Sequence, residues 1–89
     1  MAGYLPFLFA GRMIDLEKLL EILRELRPDV DFEKEKALID DGILESLDIV
    51  AIVGEIMDAF NVELNVEDLL PENFNSAEAM LELIRIKEN

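Results

Sequence analysis

Cysteine, histidine, tryptophan and threonine are all missing from this chain of 89 residues, and serine occurs only at positions 46 and 76. Without cysteine there is neither a disulfide framework nor a thiolate zinc site, so the fold must be held by packing alone. Without histidine or cysteine, general acid and base work near neutral pH falls to carboxylates, and no nucleophile–base pair can be assembled at ordinary pKa values. An independent enzyme is not expected. Long apolar runs are missing too: a membrane span needs roughly 20 consecutive apolar residues. The apolar first twelve residues lack the early positive region and the longer apolar stretch of a secretory signal.

Bases are also scarce. Lys and Arg number 8 against 21 Asp and Glu, a net charge of -13 with a pI near 4.1. From Ala37 to Ile84 every charged residue is acidic. Such a surface repels nucleic acid and anionic membranes, which sets nucleic-acid binding aside, and it steers towards a basic partner surface. A hydrophobic content of 52% is nevertheless too high for a disordered chain. The length fits one domain, burying about 60 to 65% of the surface its unfolded form exposes.

Residues 1–12 match neither the helical nor the strand period and contain Gly3, Pro6 and Gly11. They read as an appended or disordered leader ahead of Met13, with a hydrophobic docking arm as the alternative. Residues 13–89 read as the folded domain. Asp15 is a plausible N-cap for a first helix whose Leu16, Leu19, Leu20, Leu23 and Leu26 keep the helical period, and Pro28 stops it. Residues 27–41 form a polar, ordered loop anchored by Val30, Phe32, Leu38 and Ile39. Gly42 precedes a second helix running from Ser46 or Leu47 to Phe60. After a turn at 61–65, residues 66–70 read as a short helix closed by Pro71. Asn75 then caps the last helix, with Glu78 completing an Asn-x-x-Glu box and Ala79, Met80, Leu83 and Ile84 forming the inner stripe. The expected fold is all-α: a small four-helix bundle of three main helices and one short one, with a long first loop.

On a helical wheel the second helix sends Ile49, Val50, Ile52, Val53, Ile56, Met57, Ala59 and Phe60 to the core. Leu47, Asp48, Ala51, Gly54, Glu55 and Asp58 fall on the other side. Acids on a helix surface ordinarily serve solubility. Here they surround Leu47, a large apolar side chain beside the serine at the helix start, and the face suits docking. Ser46 itself has two readings. It is a natural N-cap, and it is also a site where a phosphodiester would be favoured by about 0.3 to 1 kcal/mol, because a helix N-terminus presents unpaired N–H groups and a partial positive charge. Ser76 and Tyr4 are given no chemical role.

The stretch Asp41-Gly42-Ile43-Leu44-Glu45-Ser46-Leu47-Asp48-Ile49-Val50 resembles the signature of the acyl carrier protein family, in which an acid, a serine, a leucine and usually a second acid open the second helix. The likeness covers roughly residues 14–86, including the long first loop, the Phe60-Asn61-Val62-Glu63-Leu64 exit from helix two and the short helix before Asn75. Glu-Ser-Leu-Asp alone is a weak motif; its placement between Gly42 and an acidic amphipathic helix is fairly specific. The resemblance implies that a phosphopantetheinyl transferase, using coenzyme A and a divalent metal, attaches 4'-phosphopantetheine to Ser46, and that cargo rides as a thioester on the arm. It also implies a cytoplasmic carrier whose Glu45, Leu47, Asp48, Ala51, Gly54, Glu55 and Asp58 are read by loading and cargo-processing enzymes with basic docking patches. Bound acyl chains in the family slip between the helices, here among Val50, Val53 and Ile56. Glu45 stands where the family most often has Asp, and Ala51 and Gly54 stand where fatty-acid carriers often place an acid and a bulky apolar residue. These departures leave room for a specialised carrier, and the Gly-Ile-Leu-Glu-Ser approach also resembles D-alanyl carrier proteins. From other classes come an unmodified acidic helical adaptor, with Ser46 as a mere cap, and a calcium module built on Asp40, Asp41, Glu45 and Asp48. The apolar Ile43 and Leu44 interrupt the alternating ligands such a calcium loop needs.

Overall fold

The computed structural model describes the backbone of residues 4–88 and the side chains of residues 15–88. Four helices follow one another: α1 (Tyr4–Leu26), α2 (Ser46–Phe60), α3 (Pro71–Phe74) and α4 (Ala77–Glu88), with a single 3-10 turn at Val66–Asp68. The all-α class, the three main helices and the long first loop are as expected, and no described helix is long and apolar enough to cross a membrane.

The start of α1 is a correction. It begins at Tyr4, so Asp15 lies inside the helix and not at its N-cap. Once the leucine stripe is docked, each residue added upstream gains a hydrogen bond without a new nucleation cost. Pro6 falls in the first turn, where its missing N–H has no intrahelical partner to lose. The side chains of the leader expected over residues 1–12 lie outside the described residues. At the other end Arg27 N–H still donates to the Leu23 carbonyl (2.9 Å) before Pro28 ends the helix.

Leu19, Leu20 and Leu23 of α1, Ile52, Ile56 and Phe60 of α2, Phe74 of α3 and Met80, Leu83 and Ile84 of α4 are buried together. Loop residues complete the core: Phe32, Leu38, Leu44, Val62 and Leu64 are buried, and Val30 and Ile39 pack on its edge. Each large side chain so buried contributes about 1.5 to 3 kcal/mol of transfer free energy. Helices α1 and α2 run antiparallel. Lys18 near the middle of α1 donates to the Ala59 carbonyl at the end of α2 (2.7 Å) and lies 4.9 Å from the Phe60 ring centre, while Arg27, just past the end of α1, meets Asp48 in the first turn of α2 (2.7 Å).

Three further expectations are corrected between α2 and α4. Pro71 opens α3 and does not close the helix before it, because proline has no N–H to lose at the first helical position and pushes Leu70 into an extended conformation (φ -92°, ψ 145°). The helix read over 66–70 shrinks to the 3-10 turn, whose entry is fixed by Asn65 N–H donating to Asp68 Oδ2 (2.8 Å). Nor is Asn75 the cap of α4. Ser76 Oγ accepts the Ala79 N–H (3.1 Å) and caps the helix. The longer Asn75 amide reaches the first loop instead: Oδ1 accepts from the Ile39 and Asp40 N–H groups (2.9 and 3.1 Å), and Nδ2 donates to Asp40 Oδ2 (3.2 Å). Its carbonyl accepts the Leu38 N–H (2.9 Å).

Asn75 thus clamps the long loop to the α3–α4 joint. Replacing Asn75 by Ala strands two loop N–H groups and is expected to cost about 1 to 3 kcal/mol, seen as a lower urea midpoint with an unchanged slope. A neutral result would show that the clamp does not stabilise the loop. Acid should loosen α4 by a separate route. Lys87 beside Asp68 (2.8 Å) holds that carboxyl below its ordinary range, and Lys36 beside Glu78 (2.7 Å) does the same there. A lowered folded pKa gives stability that is complete above the unfolded value near 4 and lost as pH falls through the lowered one. Asp68→Asn should therefore be less stable than the parent at pH 7, and the gap between their urea midpoints should close as pH drops below about 4.

Candidate functional site

The approach to α2 is built from the backbone. Gly42 takes a left-handed conformation (φ 71°) that a side chain would strain, and it turns the chain out of the loop. The Ile43 and Leu44 N–H groups then both donate to the Leu38 carbonyl (2.9 and 3.0 Å), and Leu44 is buried as a plug under the corner. Glu45 is extended (φ -109°, ψ 174°) and its carbonyl accepts the Ile49 N–H (3.0 Å), the first bond of the helix. Glu45 is therefore the N-cap, and Ser46 is the first helical residue. The Glu45 N–H donates to Asp48 Oδ2 (2.9 Å), which makes the helix start a carboxylate version of the capping box.

This corrects the capping role read for Ser46. The serine is exposed, and no group among the described residues hydrogen-bonds its hydroxyl. It stands one residue inside a helix of 15 residues, where first-turn N–H groups and the helix dipole favour added negative charge.

Asp48 also departs from its expected place on the docking face. Its Oδ2 lies 2.7 Å from Arg27 Nη1, and only 23% of its side chain is accessible. Arg27 Nη1 donates in addition to the Ile43 carbonyl (3.0 Å), while Nε and Nη2 grip the two oxygens of Asp29 (3.0 and 2.8 Å). That fork holds the Asp29 carboxyl below its ordinary range. Sequence reading passed over Arg27. The one signal it offered was a cation at a helix end, ahead of the stretch from Ala37 to Ile84 in which every charge is negative.

The remaining face residues stand where the wheel put them: Leu47, Ala51, Gly54, Glu55 and Asp58 are exposed, and so is Glu45. Val50, assigned to the core, is 68% exposed and joins Leu47 at 83%. It lies about 120° round the helix from Ile56, outside the arc that carries the buried Ile52, Ile56 and Phe60. The exposed face therefore has an apolar and small-residue centre (Leu47, Val50, Ala51, Gly54) with Glu55 and Asp58 beside it.

Val50 therefore cannot line a slot between the helices with Val53 and Ile56. A small apolar cavity of about 80 Å³ opens elsewhere, where Ile49 meets Ile39, Leu69, Leu70, Pro71 and Phe74. A polar, open groove of about 530 Å³ flanks Glu45, between Arg27, Asp31, Glu35 and Gly42. No three Asp or Glu side chains among the described residues gather to hold a metal ion. Of the acids weighed for calcium, Asp40 accepts from Asn75 and Asp48 from Arg27. No family model, no curated protein and no solved structure matches the chain, so its function has to be argued from this site.

Proposed function

We propose that the chain is an acyl or aminoacyl carrier protein in which Ser46 bears a 4'-phosphopantetheine arm. One observation carries the reading: the Ser46 hydroxyl stands exposed and without a partner among the described residues at the first residue of α2, because Glu45 and Asp48 perform the capping that would otherwise occupy it. A phosphodiester at this position meets a helix N-terminus and open solvent, and its attachment displaces no hydrogen bond of the fold. The arm supplies the terminal thiol that a chain without cysteine lacks. The base and metal for attachment belong to the phosphopantetheinyl transferase, in keeping with a site that has no histidine.

The exposed face of α2 is the surface offered to partners. Leu47, Val50, Ala51 and Gly54 give a shallow apolar centre for contact, and Glu45, Glu55 and Asp58 give charge for basic patches on the transferase and on loading and cargo-processing enzymes. The net charge of -13 speeds such encounters at low salt. A cytoplasmic setting goes with this reading.

The test is to incubate the parent and Ser46→Ala with a promiscuous transferase, magnesium and coenzyme A and to record intact masses. The parent should gain one phosphopantetheine group and the variant none. A folded parent that stays unmodified while a control carrier is labelled would overturn the proposal and favour the unmodified acidic adaptor. Within the same assay, the transferase's KM for the Leu47→Ala and Glu55→Lys variants should each be about 5- to 10-fold above its KM for the parent chain at nearly constant kcat, since they alter docking and not the serine.

A further inference from the structure

The first turn of α2 has a cation that its own sequence region cannot supply. Every charged residue from Ala37 to Ile84 is acidic, yet the corner before Ser46 is bonded to a guanidinium from the end of α1. Arg27 spends its donors in two directions. Nε and Nη2 are fixed by Asp29, which sets the plane of the group, and Nη1 is then aimed at the Ile43 carbonyl and Asp48 Oδ2. Ile43 lies three residues before Ser46 and Asp48 two residues after it, so one guanidinium nitrogen brackets the serine from both sides. The same Asp48 oxygen accepts the Glu45 N–H, which makes Arg27, Asp48 and Glu45 a single chain of contacts ending at the residue next to the serine.

The side-chain accessibilities match that role. Arg27 is 25% and Asp48 23% exposed, against 49% and 66% for the Arg24–Glu33 pair. The Arg27 contact is partly sheltered from solvent, as is Lys87–Asp68 (24% and 14%), and there a charge-assisted bond is strong enough to restrict geometry. An ammonium could not copy it, because the rigid fork that Asp29 grips is what directs the remaining donor.

We infer that Arg27 is a positioning residue for Ser46: by holding the Ile43 carbonyl and Asp48 together it keeps the serine in one orientation for attachment of the phosphopantetheine arm. The inference rests on the carrier reading for its consequence but not for its geometry. Arg27 is set back from the exposed face of α2, so it contributes little to docking. Its loss should lower the rate of modification and leave the affinity for the transferase alone, the reverse of the pattern at Leu47 and Glu55. Because it acts through Asp48, its effect should largely vanish once Asp48 can no longer accept as an anion.

The experiment uses Arg27→Met, Arg27→Lys, Asp48→Asn and the Arg27→Met/Asp48→Asn double variant, with circular dichroism to establish folding. Hydrogen exchange of the Glu45 amide in the unmodified proteins reads the geometry without any transferase. Labelling kinetics with magnesium and coenzyme A read the consequence. Arg27→Met should speed Glu45 amide exchange about tenfold relative to amides of the α2 core, and should lower labelling kcat by a similar factor with KM held. Arg27→Lys should recover only part of either effect, and Arg27→Met should add little in the Asp48→Asn background. Unchanged Glu45 exchange and kcat in a folded Arg27→Met, or exchange raised equally across the core, would overturn the inference. So would a fully parent-like Arg27→Lys, the variant that decides if the Met variant does not fold. If the parent itself is not labelled, the carrier reading fails, while the exchange data still decide whether Arg27 fixes the corner.

Discussion

The structure depends on how few positive charges are spread among many negative ones. All the cations of the chain lie before Ala37 or after Ile84, and the long segment between them is purely acidic. Such a segment repels itself, and its compact state needs positive charge from elsewhere. The described structure shows where it comes from. Lys18 reaches the Ala59 carbonyl at the negative end of α2, Arg27 reaches Asp48 at its start, Lys36 reaches Glu78 in the first turn of α4, and Lys87 reaches Asp68 at the 3-10 turn. Each contact joins a flank of the sequence to the acidic middle. An exposed pair such as Lys36–Glu78 adds little net stability by itself, while Arg27–Asp48 and Lys87–Asp68 are partly sheltered. The joint effect of these contacts is to favour one arrangement of helices whose apolar stripes alone could pack in several ways.

The core follows from this arrangement with little freedom left. Lys18 and Arg27 sit nine residues apart, about two and a half helical turns, and bind opposite ends of α2, which fixes the antiparallel register of α1 and α2. Leu19, Leu20 and Leu23 lie between those two contacts and meet Ile52, Ile56 and Phe60. The long loop cannot then stand clear of the bundle. Phe32 and Leu38 are buried, and Asn75 satisfies the loop N–H groups that would otherwise lose water without gaining a partner.

What the sequence showed and hid divides along physical lines. Patterns that repeat within one element were legible: the leucine stripe of α1, the extent of α2 from Ser46 or Leu47 to Phe60, and the loop anchors Phe32 and Leu38. Boundaries set by competition between neighbours were not. Asn75 and Ser76 are both good caps, and the choice fell to the hydroxyl only because the amide finds three partners in a loop 35 residues or more away. Pro71 can end one helix or begin another with the same local preference. Val50 lies beside the core arc on a wheel, and only the tertiary packing shows that it stays 68% exposed. The pairing of Arg27 with Asp48 spans 21 positions and leaves no periodic trace at all.

On the carrier reading proposed above, capping and modification would compete for one residue at the start of α2. A serine at the N-cap gives its oxygen to a first-turn N–H, and esterifying it would exchange that bond for a bulky substituent at the point where the helix is nucleated. Moving the serine one position inward removes the conflict, but another residue must then close the helix. Glu45 is a poorer N-cap than Ser or Asp because its longer side chain has more freedom to lose. The compensation is Asp48, whose carboxylate accepts the Glu45 N–H and is itself held by Arg27. A helix that had only to be stable would cap itself with the serine. One that spends two acids and a distant arginine to leave the hydroxyl idle is arranged as a chain with a use for that oxygen would be.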